Sequence, residues 1–230
     1  SCAGTVSGEE PPGDNLAIVG ATAWDALYLT PKIVAAAPAS YAVAQRRLYP
    51  AVLGLTQSQV TATLVKRPTF VAIELGMAEV MRAATSGRVV VGTSYEDETG
   101  WTLMSAEVFN ATFDAIADSV SKSGAKVALM SVPRITTFPA FRPAADVWAA
   151  QATFALFGVT VSADCAASTT VVNVATVAPA LVQRALATGV HQQLSCIDVP
   201  GTADDVLTAS DVAAIDATIS AINAHVAQVA

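Results

Sequence analysis

The sequence predicts an α/β fold in which helices cover a parallel β-sheet. Short apolar, β-branched runs alternate with segments of helical periodicity, in the order strand, helix, helix, strand, helix, helix, strand, helices. Such alternation is typical of parallel sheets, because parallel strands are joined by helical crossovers. The 230 residues are a common length for one α/β domain, and no internal repeat or long linker divides them. We therefore expect a single domain over residues 1–230.

Three apolar runs predict the buried strands of the sheet. Asn15–Gly20 ends in a turn glycine, Thr69–Leu75 is the clearest run, and Ala125–Val132 is followed by a proline. Residues 1–14 are rich in Gly, Pro and Glu, which predicts a loop.

The predicted helices lie between and after these runs. Apolar residues of 105–121 recur at spacings of four, three and four and share one helix face, and Thr208 with Asp211 resembles a capping box at the start of the last helix. The predicted helical segments are Ala21–Leu29, Thr56–Lys66, Met77–Thr85, Ser105–Ser121, Ala145–Phe157, Val177–Thr188 and Thr208–Val229.

The composition excludes several classes of protein. Apolar residues make up 53 % of the chain and charged residues 13 %, against about 25 % charged in an ordinary soluble domain. The chain can therefore bury enough apolar surface to fold. The net charge of −7 without a basic stripe argues against a nucleic-acid partner. The longest charge-free stretches, 147–163 and 166–183, contain too many polar residues for a transmembrane segment. A secreted or self-associating protein fits this composition best.

The cysteines point to an oxidising compartment. Cys165 and Cys196 lie 31 residues apart in polar, loop-like contexts, and we expect them to form a disulfide. Two interpretations of Cys2 stay open. It is either the remnant of a lipid-attachment site in an anchored precursor, although Ser1 precedes it, or a residue whose partner lies outside this chain.

Most catalytic motifs are absent from the sequence. It contains no phosphate-binding glycine loop, no G-x-S-x-G block and no recognisable zinc-ligand spacing, so no cofactor or metal is expected. Glu96–Glu98 is interpreted as a solvated loop, His191 and His225 as surface or capping residues, and the Asn110 glycosylation sequon as part of a helix.

Several blocks, in order, resemble the SGNH (GDSL-type) hydrolase superfamily, above all its secreted bacterial esterase-like members. They are NLAIVGATAWDAL at 15–27, RPTFVAIELGMAEVMRAATSG at 67–87, GAKVALMSVPRITTFPAF at 124–141 and VLTASDVAAIDATISAINAHV at 206–226. The resemblance implies a three-layer α/β/α sandwich with a flavodoxin-like parallel sheet. It also implies ester hydrolysis, in which a Ser attacks the carbonyl, a His takes its proton, and a Gly N–H with an Asn amide stabilises the oxyanion.

Only part of this machinery has a counterpart in the sequence. Gly20 matches the glycine that donates its backbone N–H, and Gly76 matches the glycine before the oxyanion Asn. Met77 occupies the position of that Asn, and a thioether donates no hydrogen bond. The GDS block that carries the nucleophile is absent, since Gly13-Asp14-Asn15 follows no strand and has no Ser, and no D-x-x-H block follows the last helix.

Three functions follow as hypotheses. The first is an extracellular SGNH-like protein whose chain is catalytically impaired. The second is part of an active secreted esterase or lipase whose nucleophile and His lie outside this chain, in a segment that Cys2 could link. The third is a self-assembling extracellular subunit, a homo-oligomer or the acceptor of a strand from a neighbour, because an absent first block leaves a strand edge exposed.

Overall fold

The computed structural model describes residues 14–96 and 100–230. The protein is mixed α/β, with about 52 % helix and 13 % strand arranged in small sheets. Contacts along the chain divide it into two compact units, described separately below. Unit 1 comprises the residues up to Leu75 together with 111–130 and 229–230, and unit 2 comprises 76–110 and 131–228.

The described residues form ten α-helices and nine short strands. The helices are α1 (Ala23–Tyr28), α2 (Pro31–Ala36), α3 (Val43–Val52), α4 (Gln59–Val65), α5 (Met77–Ser86), α6 (Ala106–Ser121), α7 (Ala144–Ala149), α8 (Gln151–Ala155), α9 (Val174–Thr188) and α10 (Ala209–Val229). The strands are β1 (Phe70–Glu74), β2 (Val91–Gly92), β3 (Leu103–Met104), β4 (Lys126–Met130), β5 (Phe141–Pro143), β6 (Val159–Val161), β7 (Val171–Asn173), β8 (Gln192–Leu194) and β9 (Val206–Leu207).

Unit 1 contains one parallel pair of strands. β1 and β4 are aligned from Phe70 opposite Lys126 to Glu74 opposite Met130. Within the described residues neither strand has a second partner. Parallel sheets are normally covered on both faces, yet Phe70 is 59 % exposed, Val127 40 % and Met130 44 %.

The helical core of unit 1 lies around Tyr49. Leu29, Leu53 and Tyr49 belong to one buried cluster. Burial, followed by the negative charge of Asp25, raises the pKa of Tyr49 above its ordinary value, so the phenol stays protonated. Asp25 itself is fixed in the capping box of α1, where Thr22 N–H donates to its carboxylate and Asp25 N–H donates to the Thr22 hydroxyl.

Unit 2 combines three small sheets with a second core. β2 pairs with β3 and β6 with β8 in parallel, whereas β5, β7 and β9 form an antiparallel sheet in that order. The buried side chains of one core cluster come mainly from α7, β6, β7 and β8, among them Val147, Val159 and Leu194, and the cluster also contains Cys165 and Cys196.

Helix α10 packs one apolar stripe into the core. Ile215, Ile219, Ile222 and Val226 recur at helical spacing and are all buried. The expected capping box is confirmed, because Asp211 N–H donates to Thr208 Oγ1 and Thr208 N–H donates to the Asp211 carboxylate. Within the described chain α10 is the one helix whose length and hydropathy reach those of a membrane span, a test that core helices of soluble proteins also pass.

The structure confirms two of the three expected strands and corrects the third. The runs at 69–75 and 125–132 contain β1 and β4, whereas 15–20 forms no strand. Side chains bond to two backbone groups of this segment instead. Ala17 N–H donates to Asn15 Oδ1, and Gln59 Nε2 donates to Leu16 O. A strand there would need those groups for a ladder.

Two further differences concern short elements. The helix expected over 145–157 is interrupted at Ala150, which ends α7 and precedes α8. The antiparallel sheet of unit 2 was not predicted, because strands of two or three residues are too short to show an alternating pattern.

Candidate functional site

The turn at Gly76 and Met77 lies where β1 gives way to α5. Gly76 is the N-cap of α5 with φ +105°, a conformation that favours glycine, and no side chain caps this helix. A Cβ at Gly76 would lie 2.8 Å from Val132 Cγ2 and 3.2 Å from Ile222 Cγ2. Both the backbone angle and the close packing therefore require glycine at this position.

Met77 places a thioether at the position where the resemblance expects the oxyanion Asn. Its side chain is half-buried at the first position of α5. Sulfur in a thioether accepts weakly and has no proton to donate. The Met77 side chain therefore cannot supply the hydrogen bond that an Asn amide gives to an oxyanion.

Gly20 lies in an exposed turn that precedes α1. Its φ is +81°, and a Cβ built there meets no atom within 4 Å. The turn is closed by Ala21 N–H, which donates to Ile18 O at 3.1 Å. In the described part of the chain the N–H of Gly20 has no hydrogen-bond acceptor. This turn therefore presents a backbone donor on the surface of unit 1.

Sequence reasoning missed a buried carboxylate one turn after Gly76. Glu79 is fully buried, and Tyr95 donates its hydroxyl to Glu79 Oε1 at 2.8 Å. The ring of Tyr95 meets the ring of Trp101 edge to face, and Arg82 lies over Trp101 at 4.5 Å from the ring centroid. The one sequence feature that pointed to Glu79 was its place in the first turn of a predicted helix, where the helix dipole favours a negative charge.

The disulfide expected between Cys165 and Cys196 is present and buried. Asp164 lies beside it and accepts hydrogen bonds from Cys196 N–H at 2.8 Å and from the Ser195 hydroxyl at 3.0 Å. Asp164 and the two sulfurs lie within 4.8 Å of one another, like a set of metal ligands. Since the sulfurs are bonded to each other, they are not thiolate ligands.

The ionisation of Asp164 follows from these contacts. Burial raises its pKa, but hydrogen bonds from Ser162, the Cys196 backbone and Ser195 outweigh burial, and the pKa of Asp164 lies below its ordinary value. The carboxylate is therefore ionised at neutral pH and holds the two chain segments around the disulfide.

An acidic loop precedes α10 in unit 2. Burial, then the charges of Asp204 and Asp211, raise the pKa of Asp198. Burial, then Asp204, likewise raise the pKa of Asp205, although a hydrogen bond from Asn173 lowers it. These carboxylates repel one another, and no ligand-binding role follows from the cluster.

The two histidines and the Asn110 sequon lie on separate parts of the fold. His191 is exposed just before β8, and His225 is half-buried on α10. Asn110 lies within α6, as the sequence predicted. Cys2 and residues 97–98 of the acidic segment fall outside the described residues.

Comparison with known proteins adds no identification. No family model matches this chain, and no curated protein or solved structure matches it.

Proposed function

We propose that this chain is a secreted SGNH-hydrolase-like domain that lacks its own nucleophile, oxyanion Asn and catalytic His and is therefore catalytically impaired. The proposal includes the three-layer α/β/α sandwich with a flavodoxin-like sheet, of which β1 and β4 are two strands. Three observations support the proposal: the order of the four sequence blocks, the positive φ of Gly20 and Gly76, and the Cys165–Cys196 disulfide.

The observation that carries this proposal is the incomplete sheet of unit 1. β1 and β4 pair only with each other among the described residues, and Phe70, Val127 and Met130 are each at least 40 % exposed. An isolated two-stranded sheet is marginally stable in water. A strand supplied from outside the described residues would pair with an open edge and cover this apolar surface.

The experiment is active-site labelling of the 230-residue chain with a fluorophosphonate probe. We expect no labelled serine and no hydrolysis of a short-chain p-nitrophenyl ester above the rate of the buffer. The reason is that the sequence contains neither the GDS block that carries the nucleophile nor the D-x-x-H block that carries the His. A reference esterase labelled under the same conditions shows that the probe is active. Stoichiometric labelling of any serine in this chain contradicts the proposal.

A second candidate is part of an active esterase whose nucleophile and His lie outside these residues. The surface N–H of Gly20, which has no acceptor within the described residues, favours it, because an oxyanion hole needs such a donor. A longer polypeptide that contains this chain would then hydrolyse p-nitrophenyl esters. Gly20→Pro, which removes the donor, would abolish the activity.

Gly201→Pro is the matched control for that test. Gly201 has φ +78° and open surroundings like those of Gly20, so proline strains both turns to a similar degree. Equal loss of activity in both variants would assign the effect to misfolding and overturn the role of Gly20.

A third candidate is a self-assembling subunit that accepts a strand from a neighbouring copy. The open edge of β1 favours it. Light scattering would then show a mass that increases with concentration, and Phe70→Lys on β1 would keep the protein monomeric. Leu55→Lys, at a residue 67 % exposed outside any strand, is the control. A monomer over the whole concentration range contradicts this candidate.

A further inference from the structure

Two turns of unit 2 lie side by side at the ends of α8 and α9. Both contain a glycine in the left-handed conformation, Gly158 with φ +73° and Gly189 with φ +67°. A Cβ at Gly158 would lie 3.1 Å from the Cβ of Ala185 on α9. Gln192 N–H donates to Gly158 O at 2.9 Å, which ties the two turns together.

Four exposed apolar side chains lie in or beside these turns, and we call them the apolar tip. Leu156 is 82 % exposed and Phe157 55 % in the first turn, and Leu186 is 78 % exposed and Val190 61 % near the second. Single exposed hydrophobic residues are ordinary on protein surfaces. Four large ones in and beside two adjoining turns are a concentration of the kind that marks an interaction surface.

The charge around the apolar tip differs from that of the whole protein. Residues 147–163 contain no Asp, Glu, Lys or Arg, and Arg184 is the one such residue between 165 and 197. Arg184 is exposed and forms no ion pair within the described residues. In a protein of net charge −7, the two chain segments that carry the apolar tip thus contain one exposed cation and no carboxylate.

We propose that the apolar tip inserts into the surface of membranes that contain anionic phospholipids. Four side chains of this size offer less surface than the roughly 800 Å² per partner of a stable protein interface. Exposed apolar side chains enter the acyl boundary of a bilayer without needing a complementary surface, and Arg184 pairs with anionic headgroups. This proposal does not rest on ester hydrolysis.

The test is sedimentation with phosphatidylcholine vesicles prepared with and without phosphatidylglycerol. The unmodified chain is expected to bind the anionic vesicles more tightly. Leu156→Ser combined with Leu186→Ser should lower the partition coefficient at least about tenfold, because two side chains leave the acyl boundary. Arg184→Ala should weaken binding to anionic vesicles only, by about fivefold.

The matched control is Leu55→Ser combined with Val65→Ser, two residues of unit 1 that are each 67 % exposed. Its partition coefficient should stay within about twofold of the unmodified chain. As an independent signal, the fluorescence of Phe157→Trp should shift to shorter wavelength when vesicles are added.

Three results overturn the proposal. The first is absence of vesicle binding by the unmodified chain. The second is equal loss of binding in both double variants. The third is a concentration-dependent dimer that light scattering detects without lipid and that the Leu156→Ser and Leu186→Ser substitutions abolish. In that case a second copy of the chain, and not a membrane, would cover the apolar tip. Urea unfolding of each variant shows whether a loss reflects misfolding.

Discussion

Asn223 on α10 satisfies both backbone hydrogen-bonding groups of Val132. Val132 N–H donates to Asn223 Oδ1 at 2.7 Å, and Asn223 Nδ2 donates to Val132 O at 2.9 Å. Val132 lies two residues beyond the end of β4 and is followed by a proline. A side-chain amide thus provides the donor and acceptor that a neighbouring strand would provide, 91 residues away in sequence.

Removing this amide should destabilise the protein. Asn223→Ala leaves two backbone groups of a buried residue without partners, and we expect the free energy of unfolding to fall by about 1–3 kcal/mol. Asn223→Asp keeps the acceptor and loses the donor to Val132 O. Urea denaturation measures both, with the exposed Gln228→Ala on the same helix as control. An Asn223→Ala variant as stable as Gln228→Ala would refute the role of this pair.

Alanine should be tolerated far less at Gly76 than at Gly189. Both residues have positive φ, so each substitution costs about 1–2 kcal/mol in backbone strain. At Gly76 the new methyl also meets Val132, which adds about 1–3 kcal/mol of overpacking, whereas at Gly189 it meets open space. Urea unfolding of the two variants compares them directly. Equal losses in the free energy of unfolding would show that the side chains around Gly76 move aside without a cost in stability.

The disulfide should contribute strongly to stability. Cys165 and Cys196 are 31 residues apart, and closing a loop of this size stabilises by about 3–4 kcal/mol through the lost entropy of the unfolded chain. Dithiothreitol should therefore lower the melting temperature of the unmodified protein. The double variant Cys165→Ala, Cys196→Ala should melt at that lower temperature and show no further change in dithiothreitol. A melting temperature that dithiothreitol leaves unaltered would contradict this prediction.

Asp164 should stabilise the protein at neutral pH and not in acid. Hydrogen bonds hold its pKa in the folded state below the ordinary value, so its contribution is present above the unfolded pKa, near 4, and is lost as pH falls through the folded pKa. Asp164→Asn should be less stable than the unmodified protein at pH 7, and the difference should shrink in acid. Chemical denaturation across this pH range measures it, and a difference independent of pH would exclude the carboxylate as its source.

The Asp198 carboxylate should destabilise the protein at neutral pH. Burial and the charges of Asp204 and Asp211 raise its folded-state pKa above the unfolded value, so its ionised form is disfavoured by folding at neutral pH. Asp198→Asn should therefore raise the free energy of unfolding at pH 7, and the gain should disappear as pH falls below the unfolded pKa. A stabilisation that persists in acid would point to a cause other than charge.

The candidate site could be predicted from sequence only where a local rule applied. Gly76 was expected at the end of an apolar run, and the disulfide was expected from two cysteines in polar loops. Glu79 was missed, because a Glu in a first helical turn is ordinarily exposed, and its burial depends on Tyr95, 16 residues later. The turn at Gly20 was expected, but the strand before it is absent, because side chains occupy its backbone groups.

The sequence by itself determined the long helices, the strands β1 and β4 and the paired cysteines. Each depends on a repeat, a cap or a residue type that acts over a few neighbours, as in the stripe of Ile215 and Ile219 on α10. Only the tertiary structure decided the antiparallel sheet, the pairing of Asn223 with Val132 and the exposure of the apolar tip. These depend on contacts between distant segments, and an apolar side chain has the same sequence signature whether packing covers it or leaves it in water.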